Sequence, residues 1–165
     1  MNKLSTHNTF LYYGLTITSI GLVIISLGPG LFGMEVHESR WQHMFFEKLC
    51  HQNPHRSYSL AGVSMAVCSR CLGIYTIFTV GLLLAPLYEH IFTIQKKRRL
   101  YLVMLTIGVN AIDIAGNAMG LWVNTLESRL ILGSLFGLSI AMIITNEFFK
   151  TITNSEDTYG TEFAA

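Results

Sequence analysis

Apolar residues in this chain run in long unbroken blocks, and polar residues collect in the gaps between them. Four blocks stand out: from about Phe10 to Phe32, from about Ala66 to Phe92, from Leu100 to about Val123, and from about Leu130 to Phe149. Each reaches the ~20 residues that a helix needs to cross a bilayer. Each is predicted to be helical, because a strand with open edges cannot satisfy its backbone in hydrocarbon. Between the first two blocks, the stretch Glu35 to Leu49 mixes charged residues with Val36, Trp41, Met44, Phe45 and Leu49. That pattern predicts a short amphipathic helix lying at the membrane surface. The expected fold is therefore all-α: a polytopic membrane bundle of four transmembrane helices, with a short interfacial helix in the outer loop. One domain covers residues 1–150, and residues 151–165 read as a polar, mobile tail.

Composition sharpens this reading. The chain is 51% hydrophobic and only 13% charged, about half the charged share of a soluble domain. A net charge of +1 gives no electrostatic argument for nucleic acid; the expected environment is the lipid bilayer. The first block has one Lys before it and no small-x-small cleavage pattern after it, so it reads as a retained anchor rather than a signal peptide.

Charge also predicts orientation. Lys96, Lys97, Arg98 and Arg99 fill the short link between the second and third blocks, and such clusters stay on the cytoplasmic side. Both termini are then expected in the cytoplasm, with the spans in the cell (inner or plasma) membrane, and the loop from Gly33 to Met65 lies outside. Arg40, Lys48 and Arg56 in that loop count against this orientation.

The chemistry-bearing residues lie at the mouth of the second block. The only cysteines are Cys50, Cys68 and Cys71. Cys68 and Cys71 are three apart at a helix start, where both side chains fall on one side and the helix dipole favours thiolate. Cys50 must return across a loop to join them. His51 follows Cys50 directly and His55 is four further on, with Pro54 favouring a turn at Asn53. Three sulfurs with His51 or His55 as fourth donor match a closed tetrahedral zinc site. Inert apolar filling, or one disulfide with a cysteine left over, are the plainer alternatives. Leu72 rather than His follows Cys71, so there is no haem-attachment signal.

The segments Cys50-His51-Gln52, Arg56-Ser57 and Cys68-x-Arg70-Cys71-x-Gly73-Ile74-Tyr75 resemble a family of small predicted membrane proteins, domain-of-unknown-function 2085. Asp113 and Arg129 are similar to later family positions. The resemblance implies membrane placement and a role for the motif residues; it implies no reaction.

A second polar set lies inside the third block. A carboxylate such as Asp113 costs roughly 3 kcal/mol at the centre of a membrane helix. Asn110, Asp113 and Asn117 share one helix face, which should turn towards the bundle interior. The bland reading is interhelical hydrogen bonding. The sharper one is a polar cavity opening outward with Asp113 as its floor. Arg129 is the expected partner of Asp113 or of an anionic ligand, and Arg56 and Arg70 come to the same side, where guanidiniums bind phosphate or lipid headgroups. Singly, each Arg also fits headgroup snorkelling.

Three minor patterns complete the reading. Gly28-Pro29-Gly30-Leu31-Phe32-Gly33 spells a dinucleotide-binding pattern but follows a membrane helix rather than a strand, so no nucleotide is expected. Gly116-x-x-x-Gly120 and Gly133-x-x-x-Gly137 are expected to bring the third and fourth spans close, or to dimerise. Trp and Tyr residues near the span ends fit an aromatic belt.

Three functions compete. One is an extracytoplasmic metal site of Cys50, Cys68, Cys71 and a His beside a polar cavity, with zinc structural or catalytic; Asp113 or His51 would be its acid or base. Another is a membrane thiol-disulfide oxidoreductase in which Cys68 and Cys71 exchange with Cys50, with a quinone as partner; the plan is similar to quinone-linked disulfide-forming enzymes, which have a further cysteine pair. The third is a transporter or lipid-headgroup-binding module using Asp113, Asn117 and Arg129. Four spans are few for a transporter, so it would need a homo-oligomer.

Overall fold

In the computed structural model the described residues are 6–28, 31, 40–50, 52–91 and 96–162. Five helices follow in order: α1 (Thr6–Ser26), α2 (Arg40–Phe46), α3 (Ser69–Ile91), α4 (Lys96–Ala118) and α5 (Leu126–Glu162). Between α2 and α3 lie one 3-10 turn (Pro54–Arg56) and a minimal hairpin of β1 (Ser59–Leu60) and β2 (Val63–Ser64). Four of the helices are long and apolar enough to cross a membrane: Thr9–Ser26, Ser69–Leu87, Lys97–Ala118 and Leu126–Phe148. The chain is an all-α membrane bundle.

The span limits differ from the sequence reading where glycine intervenes. The first span stops at Ser26, short of Phe32, because Gly28 takes φ +77, a left-handed conformation that ends a helix. The third stops at Ala118 rather than Val123, with Gly120 at φ +73 just beyond. At the other end, α5 continues as helix to Glu162, through most of the stretch read as a mobile tail. Its 37 residues measure about 55 Å, against about 30 Å of hydrocarbon, so the last turns extend beyond the lipid.

Glycine sets the main helix contact. A Cβ on Gly133 would collide with the Arg70 carbonyl, one on Gly137 with that of Ile74, and one on Gly73 with that of Leu130. Without those Cβ atoms, α3 and α5 approach backbone to backbone. The small-residue motif of the fourth span therefore packs on the second span, not the third. Gly116 meets the Trp122 ring just beyond its own helix. Spacing marks a close approach but not the element that approaches.

Contacts also fix direction. Positions rise together along the α3–α5 contact, from Arg70–Gly133 to Gly81–Ala141, so these helices run parallel. Arg99 meets Met142, Thr106 meets Ser139 and Asn110 meets Leu132, so α4 runs antiparallel to α5. Tyr12 of α1 donates its hydroxyl to the Leu82 carbonyl, while Gly28 abuts Ala66, so α1 opposes α3. One end of the bundle thus gathers the end of α1, the starts of α3 and α5, and the end of α4. The basic cluster that opens α4 lies at the other end. Arg99, read from the sequence as part of the link, lies in the first turn of α4 instead: it is 2% exposed, and its guanidinium donates to the Met142 carbonyl at 2.6 Å.

Three buried hydroxyls bond within their own helices: Thr16 to the Tyr12 carbonyl, Ser26 to Val23 and Thr145 to Ala141. Back-bonding of this kind lets small polar residues sit in an apolar bundle. Across α4, large apolar side chains such as Met104, Ile107 and Ile112 are exposed, as a lipid-facing surface requires.

Candidate functional site

The segment before α3 is built to return Cys50 to Cys68. Helix α2 ends with the Cys50 N–H donating to the Phe46 carbonyl at 2.8 Å. Gln52 then turns the chain with φ +47, its side-chain amide donating to the His43 carbonyl at 2.5 Å. Asn53 is extended, as the following Pro54 demands, and caps the 3-10 turn by accepting from the His55 N–H at 3.0 Å. The hairpin reverses at Ala61 and Gly62, both at positive φ, the geometry of a tight two-residue turn. The chain then reaches α3, and the Cys68 N–H donates to Cys50 Sγ at 3.2 Å.

All three sulfurs lie within 4.8 Å of one another. None is in a disulfide; Cys50 is buried, and Cys68 and Cys71 are half-buried. Phe46, Ala66 and Val67 are fully buried against them, and Phe46 stacks on Tyr75 at 5.9 Å. Cys68 lies just before the membrane-spanning stretch of α3. Hydrogen bonding with the Cys50 and then the Cys71 thiol holds the Cys68 thiol well below its ordinary range, although burial opposes this. A thiolate at Cys68 is the form that binds metal or attacks a disulfide.

The histidines stand differently. His51 lies outside the described residues. His55 is exposed in the 3-10 turn and is not among the donors clustered with the sulfurs; its N–H bond to Asn53 holds it there.

Beside the sulfurs is a cavity of about 580 Å³, lined by Cys50, Cys68, Cys71, Arg56, Arg70 and Arg129. Asn53, Asn117 and Asn124 add amides, and Leu49, Ile114 and Ala118 add apolar walls. Asp113 does not line it. Its carboxylate forms an ion pair with the Arg70 guanidinium and accepts from the Asn124 amide at 2.7 Å. The Asn124 N–H in turn donates to Asn117 Oδ1 at 3.1 Å. Asp113 is thus a half-buried brace beside the cavity rather than its floor. Arg70, not Arg129, is its partner, because the tight α3–α5 contact sets Arg70 across from α4. Asn110 donates to the Thr106 and Leu132 carbonyls, tying α4 to α5.

Sequence reasoning missed Phe46, which anchors α2, and, although it placed a turn at Asn53, missed that this residue caps the turn and lines the cavity. Phe46 carried no signal beyond apolarity beside an already apolar face. Asn53 was legible, since Asn before Pro is a turn former.

No solved structure matches the chain. It is 34% identical over 107 residues to the uncharacterized protein MJ1492 of Methanocaldococcus jannaschii, an alignment covering 65% of this chain and 68% of that one. The family model described as "Predicted membrane protein (DUF2085)" matches residues 50–143, a stretch that starts at the first cysteine and takes in α3, α4 and the start of α5. The cysteine cluster, the Arg70–Asp113 pair and Arg129 all fall within it, and the chain belongs to this family of predicted membrane proteins.

Proposed function

We propose that this protein is a multi-pass membrane metalloprotein in which Cys50, Cys68 and Cys71 hold a soft divalent ion, zinc by preference, beside a ligand-accepting polar cavity. The observation that carries this reading is the convergence of three thiols within 4.8 Å from two separated chain segments. Tetrahedral zinc with Zn–S bonds of about 2.3 Å needs sulfurs about 3.8 Å apart, which small side-chain adjustments within such a cluster allow. The sulfurs also sit at the start of α3, where free N–H groups favour negative charge. His51, adjacent in sequence to Cys50, or a water supplies the fourth position. Water there would make the ion catalytic; a histidine would make it structural.

The sulfur end of the bundle faces the cell exterior in this reading. Lys97 and Arg98 are exposed at the opposite end, where the positive-inside rule holds them in the cytoplasm.

Metal analysis by mass spectrometry on detergent-purified protein tests the proposal. About one equivalent per chain, lost in Cys68→Ser, is expected. Metal-free protein whose thiols cycle reversibly with a quinone would replace it with a thiol-disulfide oxidoreductase in which Cys68 is the attacking thiolate.

A further inference from the structure

Arg70 and Arg129 are not equivalent. Arg70 has a carboxylate partner, whereas Arg129 is 8% exposed and among the described residues its guanidinium has no hydrogen-bond partner, although it lines the cavity. Its side chain is packed, yet its five N–H donors open on the cavity rather than being sealed in the protein, so they are available to a ligand. Arg56 lines the same cavity, and both Arg56 and Arg70 are electrostatic neighbours of Arg129. Like charges brought together favour a counter-charge between them.

Carboxylate supplies it only in part. Asp113 cancels one of the three guanidiniums. Arg56 and Arg129 then line the cavity with no carboxylate paired to either among the described residues.

We propose that the cavity binds a phosphate group, with Arg129 as its principal contact and Arg56 as its second. The inference deepens the reading of a ligand-accepting cavity beside the sulfurs and rests on it. Two guanidiniums offer paired donors to tetrahedral oxygens, the geometry in which Arg holds phosphate bidentately. Asn53 and Asn124 offer further amide donors on the lining. The walls say more about the ligand. Ile114 and Ala118 line the cavity and are exposed on α4, on the helix whose apolar side chains face lipid. A phosphate carried on an acyl or similar chain would place its head between the guanidiniums and its tail along this wall. Lipid-borne phosphate is therefore expected to bind more tightly than inorganic phosphate.

Binding is measured on the full chain in neutral detergent by calorimetric titration. The probes are inorganic phosphate, short-chain phosphatidic acid and a diacylglycerol of the same chain length. Saturable binding of phosphatidic acid, with none of the diacylglycerol, is expected. Arg129→Gln should weaken it about tenfold or more, and Arg56→Gln by about threefold. Lys97→Gln, at the far end of the bundle, should leave it unchanged. Equal affinity for inorganic phosphate would support the site but make free phosphate its ligand. Binding of neither probe, or equal losses in Arg129→Gln and Lys97→Gln, would overturn the proposal. If Arg129→Gln fails to fold, an Arg56→Gln protein that binds like wild type overturns it too. Metal content on the same samples separates the two readings: phosphate binding without metal sinks the metal site alone, and metal without phosphate binding sinks this inference alone.

Discussion

At the residue scale, Cys68 and Arg70 sit two positions apart and do unlike work. Cys68 shares its cluster with two other sulfurs and stands immediately before the first turn of α3, so its loss should abolish metal binding, and Cys71→Ser should do the same. Arg70 braces α3 against α4 through Asp113, with the two side chains 18% and 14% exposed. Asp113→Asn strands a mostly buried guanidinium and should destabilise the protein by about 3 kcal/mol, read as a lower midpoint of thermal unfolding in detergent. The double change Arg70→Met with Asp113→Leu should cost clearly less than the two single changes combined. Additive losses would show that the pair is not a unit. Proximity of a cation to Asp113 was legible from the sequence, but the identity of the cation was not. Arg70 and Arg129 are both at the right depth, and only helix rotation decides between them.

At the element scale, the α3–α5 contact is the joint on which the site depends. Gly133→Val and Gly137→Val place side chains into the backbone of α3 and should each cost about 2 kcal/mol or more, with loss of metal content as the sulfurs shift. Gly14→Val and Gly21→Val on α1 meet nothing within 4 Å and should melt within about 0.5 kcal/mol of wild type. Equal effects at all four positions would contradict the parallel α3–α5 crossing. The amphipathic helix was readable from the alternation of Trp41, Met44 and Phe45 with polar residues, and these three are exposed as an interfacial face requires. Its anchor was not readable, because Phe46 looks like one more apolar residue until Tyr75 lies beneath it. Removing metal should loosen this element: chelation is expected to speed proteolysis between α2 and α3, since the link from Cys50 to Cys68 would then rest on a hairpin two residues long on each side.

At the scale of the whole molecule, alternating helix direction brings four helix ends to one side. That side holds the sulfurs, the cavity and the Arg70–Asp113 pair; the far side holds Lys97 and Arg98. A reporter fused to the C-terminus should be active in the cytoplasm, and a membrane-impermeant thiol reagent should label metal-stripped protein from outside intact cells. Labelling only after the membrane is opened would reverse the orientation. The dimerisation reading of Gly133-x-x-x-Gly137 loses its basis at this scale, since α3 of the same chain already occupies that face.

The amino-acid sequence by itself determined the bundle: hydrocarbon thickness sets the length of an apolar block, and the lack of backbone partners in lipid makes each block a helix. It also placed the cysteine pair on one side of a helix start, because three-residue spacing is a local property. Only the tertiary structure decided that Cys50 returns to that pair, that Arg70 rather than Arg129 neutralises Asp113, and that Arg129 is left facing a cavity. Those outcomes depend on the rotation and offset of helices set by close glycine contacts, and no stretch of chain encodes that geometry alone.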